Sequence, residues 1–293
     1  MGCSKANDTF PELTYDKTID FPSDEDPFSP IRLLQHDNMK YILENEGKRV
    51  VVYDKHNRPV NTIGSEGNGT DEFVSPMDMA IIDTLLVVLD FAQVKMSIFT
   101  LQGAFIKSII FDFMPVSIVK SDDSFLVSGM GAGEMPYALF NFDCEQVAGS
   151  KITAGSKETQ LPATTYSDVT NLFYIFSQLS YDNNIWIYEI EPATGKEVNR
   201  IEIPALYVAE ESPLPSSISD VAFYKNLFFL QYTDCNNEEI YPLEMYSHDF
   251  LTHKVFYLDK SNPQMRLTIN NDRLFLVSPQ NNMEIFLYNI SLK

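Results

Sequence analysis

A pattern of four positions recurs six times along the chain: an apolar residue, any residue, a second apolar residue and an aromatic residue. The aromatic residues that close the six copies lie 41 to 58 residues apart. They are Tyr53, Phe99, Phe140, Tyr188, Tyr246 and Tyr288. A period of roughly 40 to 50 residues is typical of chains that repeat one structural unit. The pattern therefore predicts six copies of such a unit.

Further short apolar runs accompany each copy of the pattern. In the second repeat, runs at 77–81 and 85–89 precede the copy that ends at Phe99, and a run at 105–109 follows it. These runs are rich in β-branched and aromatic residues, are bounded by turn formers and are too short for helices, so they predict strands. Four consecutive strands per unit are typical of a propeller blade. We therefore expect an all-β fold, a six-bladed β-propeller of four-stranded antiparallel blades.

The last repeat lacks its outer strand. Only five residues follow Tyr288, too few for a turn and a fourth strand. Residues 13–21 alternate between apolar and polar positions and precede the first repeat, so we expect them to supply that strand, because an unpaired edge would leave the ring open. The predicted organisation is a tether at residues 1–11 and a single propeller domain at 12–293.

The charge balance narrows the classes of partner. The chain has 21 basic and 41 acidic residues, a net charge of −20. This charge disfavours binding to nucleic acids and to anionic membrane surfaces, and no apolar run reaches the ~20 residues that span a bilayer. We expect a monomer whose partner is a protein, a peptide or a glycan. The alternative is that the charge serves solubility alone.

The amino terminus carries a candidate modification site. Gly2-Cys3-Ser4 resembles the end of a bacterial lipobox, in which Cys3 is the lipidated residue. A myristoylation signal fails at Ala6, and an ordinary start with a chance cysteine is the remaining alternative. On the lipobox hypothesis the protein is lipid-anchored in the cell envelope of a Gram-negative bacterium, and membrane contact is through this anchor only.

One stretch resembles a known repeat family. Gly64 to Phe73, followed by Ser75-Pro76 and by strands that end near Asp90 and Gln102-Gly103, resembles the NHL repeat over residues 64–110. The whole chain is similar to the six-bladed, TolB-like propeller lipoproteins of Bacteroides-type bacteria. Most members of that group have no assigned function, so the resemblance implies a fold and an envelope location and no activity.

Motifs for cofactor or metal chemistry are weak. The glycines at 64–69 fit neither a dinucleotide-binding motif nor a phosphate loop, and we expect an inter-blade turn there. Asp78 and Asp220 fall on predicted innermost strands, but so do Arg32 and Arg266, and this mixture argues against a dedicated cation site. We expect no cofactor, no metal and no catalytic residue.

Two further observations bear on metal or hydrolase chemistry. The pair His248 and His253 has no cysteine beside it, so it is weak evidence for zinc. The Gly-x-Ser-x-Gly motif, which forms the nucleophile elbow of α/β-hydrolases, does not occur in the sequence.

Aromatic residues at or beside the predicted b–c loops are the candidates for binding. They are Phe91, Tyr181 and Tyr232; aromatic rings stack on sugars and peptides, although packing between blades is the alternative. The leading hypothesis is a non-enzymatic binding protein that uses one face of the propeller. The second is a metal-dependent hydrolase, lactonase or lyase centred on the channel.

Overall fold

A computed structural model describes residues 10–20, 29–131, 134–153, 161–178, 184–205, 217–233, 242–258, 266–277 and 284–291. These residues form 24 strands. Among them no helix is long and apolar enough to cross a membrane. Cys144 is buried and free, whereas Cys3 and Cys235 lie outside the described residues.

The strands are numbered in chain order. Strand β1 spans Glu12–Asp20. Blade 1 contains β2 (Pro30–His36), β3 (Met39–Glu44), β4 (Arg49–Tyr53) and β5 (Pro59–Ile63). Blade 2 contains β6 (Pro76–Ile82), β7 (Leu85–Asp90), β8 (Lys95–Thr100) and β9 (Phe105–Ile110). Blade 3 contains β10 (Met114–Lys120), β11 (Ser124–Met130), β12 (Glu134–Asn141) and β13 (Gln146–Thr153).

The second half of the chain repeats this order. Blade 4 contains β14 (Ala163–Ser167), β15 (Leu172–Gln178), β16 (Asn184–Ile190) and β17 (Glu197–Pro204). Blade 5 contains β18 (Ser217–Tyr224), β19 (Leu227–Thr233), β20 (Pro242–Ser247) and β21 (His253–Tyr257). Blade 6 contains β22 (Arg266–Asn270), β23 (Arg273–Val277) and β24 (Glu284–Ser291), together with β1.

Six antiparallel four-stranded sheets confirm the predicted propeller. In each blade the first strand is innermost, so β2, β6, β10, β14, β18 and β22 surround the axis. The strand boundaries differ from the sequence prediction by a few residues. Gly129 lies in β11 opposite Pro115 of β10.

The amino-terminal strand closes the ring. Strand β1 pairs antiparallel with β24 from Glu12 opposite Ser291 to Asp20 opposite Glu284. The rings of Tyr15 and Tyr288 meet edge to face, with centroids 5.6 Å apart. The predicted closure is thus confirmed, with the strand at Glu12–Asp20 in place of 13–21.

The recurring aromatic residue of the sequence pattern fills the space between blades. All six copies are buried, and each belongs to a different apolar cluster that joins its own blade to the preceding one. Phe140 of blade 3, for example, packs with Val87 and Ile98 of blade 2. Burying such rings stabilises the packing of each blade on the preceding one, so the recurrence of the pattern once per blade is a packing requirement of the ring.

Candidate functional site

The innermost strands start with the same local geometry in four blades. In each of these blades, the pairing between the first and second strands skips one residue of the first strand. The residues that directly follow the skipped one are Arg32, Asp78, Ser117 and Asp220. Such a bulge re-aims the next side chain. The four polar side chains therefore occupy equivalent positions around the axis.

Arg32 connects three blades other than its own. Its Nε donates to Asp78 Oδ1 at 2.7 Å, and its Nη1 donates to Asp220 Oδ2 at 2.7 Å and to the carbonyl oxygen of Leu267 at 3.0 Å. Asp78 and Asp220 are 0% and 1% exposed. Charged residues are rarely buried to this extent unless they are paired and hydrogen-bonded. Asp78 and Asp220 are both paired with a cation and hydrogen-bonded.

The two carboxylates continue the network to the neighbouring blades. Asp78 Oδ2 accepts the backbone N–H of Ile118 in blade 3 at 3.1 Å. Asp220 Oδ2 accepts the N–H of Leu267 in blade 6 at 2.8 Å, and Arg266 Nη1 lies 3.6 Å from Asp220 Oδ1. The hydroxyls of Ser117 and Thr164 bond at 2.7 Å between blades 3 and 4. Polar contacts at the axis thus link all six blades.

The electrostatic balance of this network favours the charged guanidinium. Burial by itself lowers the pKa of Arg32, but the carboxylates of Asp220 and Asp78 outweigh it and raise the pKa above its ordinary value. Two arginines and two aspartates make the network neutral as a whole. Both aspartates are held by an arginine and by backbone N–H groups, so the arrangement is suited to joining blades, and it leaves neither carboxylate as a general base.

A cavity of about 310 Å³ opens beside this network. All six innermost strands line it, and Arg32 is at its inner end. The outer end reaches Gln35, His36 and Lys120, near the turns that connect the first and second strands of the blades; we call this end of the ring the turn face. The volume is at the low end of the range of about 300–1,000 Å³ that is common for small-molecule sites.

The aromatic residues predicted to bind a ligand are not brought together at this cavity. Tyr232 is completely buried, and its hydroxyl donates to Glu244 Oε2 at 2.7 Å. Tyr232 therefore packs between blades, which was the alternative to ligand binding, because no part of its ring is exposed for stacking. Phe91 is half-buried in the turn after β7, where its N–H bonds to the carbonyl of Ser75. Tyr181 lies outside the described residues, as does Cys3, the predicted lipidation site.

The glycine-rich stretch is an inter-blade turn, as predicted. Gly64 has φ of +73°, a conformation that glycine adopts without strain. Lys95 holds the turn from inside, since its Nζ donates to the carbonyl oxygens of Gly69 at 2.6 Å and Glu72 at 2.8 Å. Burial lowers the pKa of this lysine. The turn therefore uses its carbonyl groups to solvate a buried ammonium, the opposite of a phosphate-binding loop.

The histidine pair has a structural context but no metal-binding cluster. Nδ1 of His253 bonds to the buried carboxylate of Glu244, and the imidazole stacks on Tyr246 with ring centroids 5.1 Å apart. Burial is the largest cause that raises the pKa of Tyr246, and Glu244 adds to it. Within the ranges that the structure describes, no group of three or more His, Cys, Asp or Glu residues could hold a metal ion.

Sequence reasoning placed Arg32, Asp78, Asp220 and Arg266 on inner strands but missed their pairing. A signal was present in the chain. A proline stands two residues before the polar residue at the start of the innermost strand in four blades, in Pro30–Arg32, Pro76–Asp78, Pro115–Ser117 and Pro162–Thr164. Proline is tolerated at the first residue of a strand or at a bulge. The pattern Pro-x-polar thus coincides with the axial position in these four blades, although Pro59–Asn61 and Pro242–Glu244 have the same spacing on strands away from the axis.

Comparison with protein families agrees with this architecture. The model of the DUF5128 family, described as a 6-bladed beta-propeller, matches residues 23–201, which is more than half of the chain. No curated protein matches the sequence.

Solved structures share the fold at low sequence identity. A protein of Bacteroides fragilis that has been assigned as exported is 11% identical, with a TM-score of 0.63 over 99% of this chain and 98% of that one. A member of the DUF4221 family from Bacteroides vulgatus is 11% identical, with a TM-score of 0.61 over 97% and 99%. Hydrazine synthase of Kuenenia stuttgartiensis is 15% identical, with a TM-score of 0.63 over 87% and 75%. At these identities the likeness concerns the fold alone.

Proposed function

From the premise that this chain belongs to the DUF5128 family of six-bladed β-propellers, we propose that it is a non-enzymatic binding protein of the cell envelope. Its ligand is a small molecule, or the end of a glycan or peptide, which enters the axial cavity from the turn face. The ligand can also be the chain end of a partner protein, if that end enters the axial cavity.

One observation carries this proposal: the axis combines an open cavity with charged groups that are already paired. Both aspartates nearest the cavity are buried and bonded to Arg32 at 2.7 Å. A hydrolytic mechanism needs a group that can take up or release a proton beside the substrate. The two aspartates are held in ion pairs, and the titratable side chains His36 and Lys120 line only the outer end of the cavity. The geometry supplies a concave site in which apolar side chains alternate with polar ones, and concave sites with placed polar groups are the usual form of a binding site.

The envelope location and the lipid anchor rest on two supports. The first is Gly2-Cys3-Ser4 at the start of the chain, and the second is the Bacteroides fragilis protein of the same fold that has been assigned as exported. The resemblance of residues 64–110 to NHL repeats fits this group of propellers. Metabolic labelling with a palmitate analogue tests the anchor; a protein that incorporates no label, or a Cys3→Ser variant that is labelled equally, contradicts it.

A cavity-filling substitution tests the binding site. Ala222 lines the cavity, so Ala222→Phe places a ring in it, whereas Ala193→Phe adds the same ring to an exposed turn between β16 and β17. Glycan and peptide arrays are probed with the wild type and both variants. We expect the wild type and Ala193→Phe to share array ligands that Ala222→Phe loses, with melting temperatures that show all three folded. Ligands that survive in Ala222→Phe, or arrays without any, refute the proposal.

A further inference from the structure

The axial cavity differs in charge from the rest of the molecule. The chain has almost two acidic residues for every basic one, yet among the described residues that line the cavity no aspartate or glutamate occurs. The charged lining consists of Arg32 and Lys120, with His36 beside them. A cavity that is lined by cations within a strongly acidic protein is the reverse of what composition alone predicts.

The carboxylates at the axis are turned away from this cavity. Asp78 directs one oxygen to Arg32 and the other to the backbone N–H of Ile118. Asp220 bonds to Arg32 and to the N–H of Leu267. Neither aspartate belongs to the cavity lining, so a ligand there meets the guanidinium of Arg32 and not the acids behind it.

Arg32 has an N–H donor that the axial network does not use. A guanidinium has five N–H donors, and Nε and Nη1 use theirs on Asp78, Asp220 and Leu267. Nη2 has a single long contact, 3.5 Å to Asp220 Oδ1. One of the two Nη2 N–H groups therefore has no acceptor among the described residues, and Arg32 lines the cavity. An acceptor in the cavity would satisfy this donor with a charge-assisted hydrogen bond.

Lys120 supplies the positive charge that the network does not neutralise. It is exposed at the end of β10 and makes no ion pair within the part of the chain that the structure describes. Because the two arginines and two aspartates of the network cancel, Lys120 leaves the site with one net positive charge. A single negative charge on the ligand matches this balance better than the two charges of a phosphate monoester.

We infer that the axial cavity binds a small ligand through a carboxylate group, which accepts from Arg32 Nη2 and is neutralised by Lys120. This inference rests on the proposed binding function and adds the chemical class of the ligand. The carboxylate could belong to a sugar acid or to the C-terminus of a peptide. Exposed aspartates on the turn face, such as Asp37, Asp83 and Asp122, oppose the approach of an anion. Asp122 is only two residues from Lys120 and lies inside the ~8 Å screening length at physiological salt, so the direct contacts with Arg32 and Lys120 must outweigh it.

Calorimetry with paired probes tests the inference. D-glucuronate is compared with D-glucose, and N-acetyl-dialanine is compared with its C-terminal amide, each titrated into the full chain at ~0.15 M salt. We expect the acid of one pair to bind at least about tenfold more tightly than its neutral counterpart, the discrimination typical of a charge-assisted hydrogen bond. The pair that responds identifies the source of the carboxylate.

Two lysine variants test whether Lys120 is the cation that neutralises the carboxylate of the ligand. Lys120→Met should weaken binding of the responding acid about tenfold, to near the level of the neutral probe. Lys55→Met removes an equally exposed charge from the turn after β4 and should leave the affinity unchanged. Acid and neutral probes that bind equally, a Lys120→Met protein with unaltered affinity, or no binding of either acid overturns the inference. Equal binding that Ala222→Phe abolishes would still support the proposed binding function, so the two failures are distinguishable.

Discussion

At the scale of single residues, the burial of a charged pair decides how much it contributes to the stability of the fold. Arg32 and Arg58 both bond to aspartates at short distance, 2.7 Å in one case and 2.6 Å in the other. The side chain of Arg32 is 11% exposed and that of Arg58 is 72% exposed. Water and salt screen the exposed pair, whereas the buried pair has no alternative partner for its charges.

The first prediction compares these two arginines. Arg32→Met leaves Asp78 buried without its cation and Asp220 with only Arg266 at 3.6 Å, and it should lower the free energy of unfolding by about 3–5 kcal/mol. Arg58→Met should lower it by no more than about 1 kcal/mol. Urea denaturation followed by circular dichroism measures both. Equal losses in the two variants would show that the axial network does not join the blades.

At the scale of elements, turns and strand starts carry the features that distinguish one blade from another. The turn at 64–73 encloses a buried lysine with its own carbonyl groups. Lys95 is 2% exposed and donates to the carbonyl oxygens of Gly69, Thr70 and Glu72. The glycine-rich stretch of the sequence therefore forms a polar turn whose carbonyl groups enclose the ammonium of Lys95.

The second prediction concerns this turn. Lys95→Met leaves three carbonyl oxygens without their donor, and we expect a loss of about 1–3 kcal/mol in the free energy of unfolding. Lys107→Met is the control, because its Nζ also bonds to a backbone carbonyl, that of Asp143 at 3.0 Å, but at an exposed site. Its effect should remain within about 0.5 kcal/mol. Thermal melts compare the pair, and a control as damaging as Lys95→Met would contradict the role of burial.

At the scale of the whole molecule, the ring depends on both chain ends. Strand β1 supplies the outer strand of blade 6, and Phe10, Leu13 and Tyr15 pack against the cluster between blades 5 and 6. Without β1, strand β24 would present an unpaired edge and exposed apolar side chains, a combination that promotes aggregation.

The third prediction tests this closure. A protein without residues 1–20 should melt at a markedly lower temperature and self-associate, because it loses the pairing with β24. Adding a synthetic peptide of residues 10–20 should raise the melting temperature again, while a peptide of the same composition in scrambled order should not. Light scattering together with calorimetric melts reports both effects. A truncated ring as stable as the full chain would show that β24 needs no partner.

The sequence by itself determined the six blades and their closure, because strand alternation, the recurring aromatic residue and the missing last strand are local or periodic features. It also placed Arg32, Asp78, Asp220 and Arg266 on the innermost strands. Only the tertiary structure decided what these residues do. Arg32 and Asp220 are 188 positions apart in the chain, and no local pattern states that they touch. The aromatic candidates show the same limit, since the burial of Tyr232 depends on Glu244 and the neighbouring blade. A periodic chain determines which units form, whereas the bulges and the ring geometry determine which side chains face the axis.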